Sequence, residues 1–462
     1  MRSRAARGGL ESRFATAVGD PSLLWSPNPT RGLARVRGAG ARGFRLILSW
    51  ADIAPAAPPA GFDAANPADR HYRWGYADRF IRQVVRSGLE PIVCILDAPL
   101  WAEDRQVAGP RGTRRPDPAA LALFAKALAR RYSGAFRGLP RVRYWQIWNE
   151  PNLPMFLNPQ AVGGRPVSPS WYREMLNRAA AAIRAVQPDG VVIAGSLAPF
   201  AAYPLRDAVP PMRFMRELLC MSGGRAPKPT CSQRSLFDIW SHHPYTPGGP
   251  TTHAAGRDNV TLADLPAMRR LLLGAARAGH VVSRQTPRFW VTEFGWDSNP
   301  PDPKAVPERL EARWVAEALY RMWNAGVSLV TWYQLRDDPL GKSFAQTGLY
   351  FNDGPAYRLN RPKLALTSFR FPFVAYKRGG RVLVWGRAPD APGRDVVLEQ
   401  SSGGKGWRFV AVLPSDASGV FSARLRTRLA GSLRARVPRG RASLPFSLRA
   451  PRGMVLPSPF GS

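Results

Sequence analysis

The sequence predicts an α/β fold: a (β/α)8 TIM barrel over residues 1–370, followed by a small C-terminal antiparallel β-sandwich domain over residues 371–462. Three observations carry that prediction. Along residues 14–337 one pattern repeats eight times: a β-branched or aromatic run, a loop, then an Ala/Leu/Arg-rich helical stretch. Eight such units are the number that closes a parallel barrel. After about residue 370 the helical runs vanish, and short alternating segments appear between Gly, Pro, Ser and Asp, as a small sandwich requires. Two of the predicted barrel strands also end in a glutamate among aromatic residues, at the strand end where this fold places its chemistry.

The predicted strands follow in order at 14–19, 43–50, 91–97, 143–149, 191–196, 237–242, 288–292 and 328–333. Between them, residues 119–132 carry apolar side chains at helical spacing, and the Ala-rich stretch 171–186 stops before Gln187-Pro188. The C-terminal strands are predicted at 381–385, 396–400, 407–412, 419–429 and 432–437. In the fourth of these, Arg424, Arg426 and Arg428 alternate with Ala423, Leu425, Thr427 and Leu429. One face is therefore cationic and the other mostly apolar. This is the pattern of a solvated outer face on a domain that caps the barrel, and a face for polyanions or carbohydrate is the alternative.

The 462-residue chain suits one large domain plus a smaller one, and 45% hydrophobic content with 15 Trp is ample for a packed interior. The formal charge of +34 raises the question of nucleic acid. Yet Lys occupies only seven positions, so 59 of the 66 basic residues are Arg, scattered without a continuous basic run. With abundant Ala, Gly and Pro, that is the codon bias of a GC-rich genome. No nucleic-acid partner is expected; solubility, or attraction to an acidic polymer or cell surface, is the better reading of the charge.

Cys220 and Cys231 sit close together in a loop containing Gly and Pro, and a disulfide between them would close a small loop in an oxidising compartment. Two unpaired thiols are the alternative. Cys94 lies in an apolar run and reads as an inert buried thiol. These three and the five His residues show no zinc-type spacing, and no metal or organic cofactor is expected. No stretch approaches the roughly 20 apolar residues of a membrane span. The basic stretch MRSRAARGGLESRF lacks the apolar core of a signal peptide. Secreted or cell-surface placement is the expectation nonetheless, with a cytoplasmic one left open.

The chemistry resides in YWQIWNEPN at 144–152 and FWVTEFGW at 289–296. Each is an apolar strand-like run closed by a carboxylate, Glu150 and Glu293. A pair of carboxylates on two strand ends is what glycoside hydrolysis needs: one as acid and base at the leaving oxygen, one as nucleophile at the anomeric carbon. The surrounding aromatic rings offer flat faces to sugar rings. The Asn149 amide can donate to a sugar hydroxyl, and Pro151 pushes Glu150 out of the helical region. Glu150 as acid needs a raised pKa, and Glu293 must stay ionised, with Tyr245 and His243 as the donors that position it. Strand alternation turns His242 to the opposite side, as a structural residue. Trp50 and Asp52 end the second strand near the cleft, Trp101 follows the third as a sugar platform, and Asp97 either bonds a substrate hydroxyl or caps a turn. Trp148 and Trp296 flank the pair, as platforms or as packing.

These segments resemble the clan of retaining (β/α)8-barrel glycosidases that contains cellulase-like family 5 and the β-xylosidase and α-iduronidase family 39. The resemblance spans roughly residues 14–370. It implies that Asn149-Glu150 supplies the acid/base on strand four and Glu293 the nucleophile on strand seven. It further implies that His243-Pro244-Tyr245 serves from strand six and that Trp332 lies under the sugar ring from strand eight. An Arg on strand two beside the nucleophile is matched by Arg45, which sits early in its strand. Retention of anomeric configuration comes from this resemblance alone. The expected function is thus a retaining glycoside hydrolase acting on a poly- or oligosaccharide. Its alternative is a barrel that binds glycans without cleaving them, or that transfers sugar to an acceptor other than water. Sugar, linkage and endo or exo action are not specified.

Overall fold

A computed structural model describes residues 10, 14–201, 208–340, 345–354, 360–378, 380–402, 406–426 and 429–449. Eight parallel strands close into a barrel in sequential order: β1 (Ala15–Gly19), β2 (Gly43–Ser49), β3 (Glu90–Leu96), β4 (Tyr144–Ile147), β5 (Val191–Leu197), β6 (Ile239–His242), β7 (Arg288–Val291) and β8 (Val327–Tyr333). Every predicted barrel strand is present, with ends shifted by at most a few residues.

A helix follows each strand: α1 (Thr30–Gly38), α2 (Gly75–Arg86), α3 (Pro118–Arg131), α4 (Ser168–Val186), α5 (Pro211–Leu219), α6 (Leu265–Arg277), α7 (Glu308–Asn324) and α8 (Leu364–Arg370). Their sequences explain their limits and faces. In α2, Ala77, Phe80, Ile81 and Val84 are buried at i, i+3, i+4 and i+7, one stripe turned to the strands. Helix α3 starts where the Asp117 carboxylate accepts from the Ala119 N–H at 2.8 Å, with Pro118 in the first turn and Arg130 and Arg131 in the last.

The barrel interior is a small separate core. Ala15, Ala17, Ile92, Ile193, Ile239 and Leu329 surround Tyr144 and Trp290, whose rings meet at 5.5 Å. The two alanines of β1 leave the room that the large rings fill. Leu10 joins this core, and its N–H donates to the Tyr144 hydroxyl at 2.6 Å. Since the amino-terminal half of the lumen is packed solid, only the carboxyl ends of the strands can hold a site.

The C-terminal region forms two antiparallel sheets. One contains β9 (Phe373–Arg378), β10 (Arg381–Arg387) and β13 (Val420–Leu425), and the other β11 (Asp395–Ser401), β12 (Arg408–Pro414), β14 (Ser432–Arg436) and β15 (Phe446–Ser447). The sequence reading missed β9 and β15, one directly after α8 and Pro372, the other only two residues long. The sheets share a core, and Tyr376 meets Phe446 edge-on at 5.5 Å. Trp385 packs on Tyr320 and Trp323 of α7, each at 5.6 Å, and buried Arg387 donates to Thr16 of β1 at 3.2 Å. Arg424 and Arg426 are exposed, as a solvated face requires; Arg428 lies outside the described residues.

Candidate active site

Four non-glycine residues with positive φ gather at the carboxyl ends of three neighbouring strands: Asp97 (60°), Trp148 (68°), Glu150 (40°) and Ser196 (53°). Such backbone is costly for residues with a Cβ and concentrates at functional sites. Pro151 does exclude the right-handed helical region for Glu150, and the residue takes the left-handed one. There its N–H donates to the Ser196 carbonyl at 3.1 Å. Asn152 pins the same turn, donating to the carbonyls of Ala198 and Val209 at 3.2 Å and accepting from the Ala198 N–H at 2.9 Å.

Glu150 and Glu293 are each held by their own set of side chains. The Tyr245 hydroxyl donates to Glu293 Oε1 at 2.8 Å, and Arg45 Nη1 donates to Glu293 Oε2 at 3.0 Å. Arg45 Nη2 donates to Asn149 Oδ1 at 2.5 Å, and its Nε donates to Gln146 Oε1 at 3.0 Å. The sequence reading gave both His243 and Tyr245 to Glu293; the structure divides them. His243 Nδ1 lies 2.8 Å from Glu150 Oε1, and its Nε2 lies 3.1 Å from the Thr292 hydroxyl. Both contacts are satisfied when Thr292 donates to Nε2 and the Nδ1 proton goes to Glu150.

Burial pushes the Glu150 carboxyl up to about 7 against the opposing pull of Arg45. Burial also drives His243 down to about 3, so the ring stays neutral beside Glu150. The buried Tyr245 phenol is pushed well above its ordinary value, first by desolvation and then by Glu293, and remains a donor. One carboxyl is thus suited to hold a proton near neutrality, while the other is paired with a guanidinium.

Arg45 reaches this cluster although it is only the third residue of β2. The strands are staggered, so Arg45 is in register with Gly19, the last residue of β1, and Gly19 with Tyr333, the last residue of β8. Position within a strand does not measure height in the barrel.

Two predicted sugar contacts are corrected. Trp332 is only 1% exposed: it packs on Phe294 and Phe369 at 6.0 Å, and its Nε1 donates to the Thr347 carbonyl at 2.7 Å. Leu329 faces the lumen, so alternation turns Thr331 and Tyr333 inward and Trp332 outward, against the helices. Tyr333 is partly exposed and within electrostatic reach of Glu293. Trp50 is fully buried, stacked on Phe124 at 5.4 Å. Trp101 keeps part of its surface open, edge-on to Trp50 at 5.7 Å, with its Nε1 donating to Pro55 at 2.9 Å.

Trp148 and Trp296 are packing residues, buried and bonded through their indole nitrogens to backbone carbonyls. His242 faces away from the cleft, with Nε2 at 3.0 Å from the Val260 carbonyl. Asp97 stands at the rim, pushed up to about 6 by burial and by Asp52 and Glu103. Cys220 and Cys231 are joined, and Cys94 is a free buried thiol raised to about 12 by desolvation.

Gln146, Thr292 and Tyr333 were missed in the sequence. A polar Gln inside the apolar run YWQIW was the available signal. Among the described residues no group of three or more His, Cys, Asp or Glu is placed to hold a metal ion, and no helix is long and apolar enough to cross a membrane.

No family model and no curated protein matches the sequence. Solved structures do. A family 39 glycoside hydrolase from Bacteroides cellulosilyticus WH2 superposes with a TM-score of 0.54 at 16% identity, over 90% of this chain and 82% of that one. The two share a fold. A family 30 subfamily 8 xylanase from Clostridium acetobutylicum aligns more loosely, with a TM-score of 0.44 at 15% identity over 90% of this chain and 93% of that one. A family 44 xyloglucanase from Paenibacillus polymyxa reaches 0.43 at 10% identity, over 90% of this chain and 95% of that one.

Proposed function

We propose that this chain is a retaining glycoside hydrolase, with Glu150 as acid/base and Glu293 as nucleophile. The observation that carries the reading is the asymmetry of the pair. Glu150 is raised to about 7 by burial next to a neutral imidazole, whereas Glu293 is bonded by Arg45 and Tyr245. A carboxyl able to hold a proton near neutrality and a second one oriented by a guanidinium and a phenol suit the acid and nucleophile roles respectively.

In the first step Glu293 attacks the anomeric carbon while the Glu150 proton goes to the leaving oxygen. In the second, Glu150 takes a proton from water, which displaces Glu293. Arg45 and Tyr245 keep the attacking carboxylate oriented, and Asn149, itself fixed by Arg45, is left with its amide N–H groups for a substrate hydroxyl. Tyr333 takes the sugar-platform role first assigned to Trp332. The Cys220–Cys231 disulfide supports a place outside the reducing cytosol.

The test is to follow anomeric configuration by proton NMR during turnover of aryl glycosides, with Glu293→Gln as control. A first-formed product of the substrate's own configuration is expected. An inverted product, or full activity in Glu293→Gln, overturns the reading.

A further inference from the structure

A cavity of about 900 Å³ opens on the flank of the barrel between α5 and α6, away from the carboxylate pair. One wall is the loop closed by the Cys220–Cys231 disulfide, which presents Arg225; the other is the loop after β6, which presents Arg257 and Asp258. Arg216 of α5 and Arg270 of α6 complete the charged lining. The groove backs onto the outward side of β6: Val260 lines it and bonds His242, while His243 points the other way, to Glu150.

Among the described residues the charge in this groove does not balance. Asp258 is taken by Arg216 through two bonds of 2.8 Å. Asp264 is taken by His253, by Thr261 and by the Ala254 N–H. Arg225, Arg257 and Arg270 are exposed and make no ion pair among the described residues. They come from three separate chain segments around an open cavity, an arrangement that suits anionic groups spaced along a polymer better than a single small ion. Among the described residues no aromatic side chain lines the groove, so these supply none of the stacking platforms that single-stranded nucleic acid uses.

We infer that this groove binds a glycan carrying several carboxylate or phosphate groups. The choice of a glycan rests in part on the glycosidase reading; the binding of anions does not. Arg257 lies on the loop after β6 that also carries Tyr245, so one segment connects the groove with the cleft. The disulfide fixes the loop bearing Arg225, and the guanidinium forks suit planar carboxylates and phosphates alike.

The experiment uses the full chain carrying Glu293→Gln, so that no substrate is consumed, and measures affinity for polygalacturonate, phosphorylated dextran, neutral dextran and single-stranded DNA. Arg225→Ser/Arg257→Ser/Arg270→Ser is compared with Arg31→Ser/Arg86→Ser/Arg408→Ser, which removes equal charge from exposed positions elsewhere. Circular dichroism and Tm verify folding of both. We expect binding to one charged glycan, telling carboxylate from phosphate, and none to neutral dextran. The groove variant should lose about tenfold or more, the control variant little, and added salt should shrink the difference. Equal losses in both variants, no loss in the groove variant, no binding to either charged glycan, or preference for DNA over both would overturn the inference. Hydrolysis is assayed separately on the unmutated chain, so an inactive enzyme with a working groove would defeat the earlier reading and leave this one standing.

Discussion

Arg45 and Glu293 are 248 residues apart in sequence and meet at 3.0 Å, the guanidinium almost fully buried. The same guanidinium holds Asn149 and Gln146, so one side chain ties β2 to β4 and to the end of β7. Replacing it with Met should lower kcat by about 10²-fold or more through lost orientation of Glu293 in its proposed role. It should also cost about 1–3 kcal/mol, because the amide oxygens of Asn149 and Gln146 are left unpaired. Steady-state kinetics and urea unfolding read the two effects separately.

The two carboxyls should respond differently to removal. Glu293→Gln is expected to reduce turnover by roughly 10⁴-fold or more on every glycoside. Glu150→Ala should slow poor leaving groups by about 10²–10⁴-fold and spare much activity on aryl glycosides with good ones, which need little protonation. Equal loss on both substrate types in Glu150→Ala would remove the acid role.

Activity should fall as pH rises through about 7, where Glu150 gives up its proton. That limb should flatten for substrates with activated leaving groups. Stability follows the same group. Its carboxyl ionises near 4.5 when unfolded and near 7 when folded, so between those values the unfolded state has already released the proton. Stability therefore declines as pH rises across that window, and Glu150→Gln should lessen the decline in unfolding free energy measured against pH.

Adjacent residues of β8 should separate structure from recognition. Trp332→Ala should cost about 3–5 kcal/mol, since it empties a buried site between Phe294 and Phe369. Tyr333→Ala should lower kcat/KM by about 10–100-fold with a smaller change in Tm. The opposite pattern would return Trp332 to the cleft.

Opening the Cys220–Cys231 bridge by Cys→Ser at both positions should cost about 2–3 kcal/mol, as expected for cysteines separated by 11 residues. A drop in Tm should appear without a change in kcat on small aryl glycosides, because the loop borders the flank groove and not Glu150 or Glu293.

The sequence alone determined the barrel, because eight apolar runs alternating with helices leave the chain few other ways to bury them. It also determined Glu150 and Glu293 as the candidate pair, since each closes such a run within a distinctive local string. Tertiary structure decided what pairwise proximity controls. The height of Arg45 depends on strand stagger, which no local pattern records. The division of His243 to Glu150 and Tyr245 to Glu293 depends on how β6 sits between β5 and β7. Trp332 and Tyr333 were exchanged because both are aromatic, and only the lumen-facing register set by Leu329 tells which turns inward. The arginines of the flank groove lie in three separate segments, so their common cavity exists only once the chain is folded.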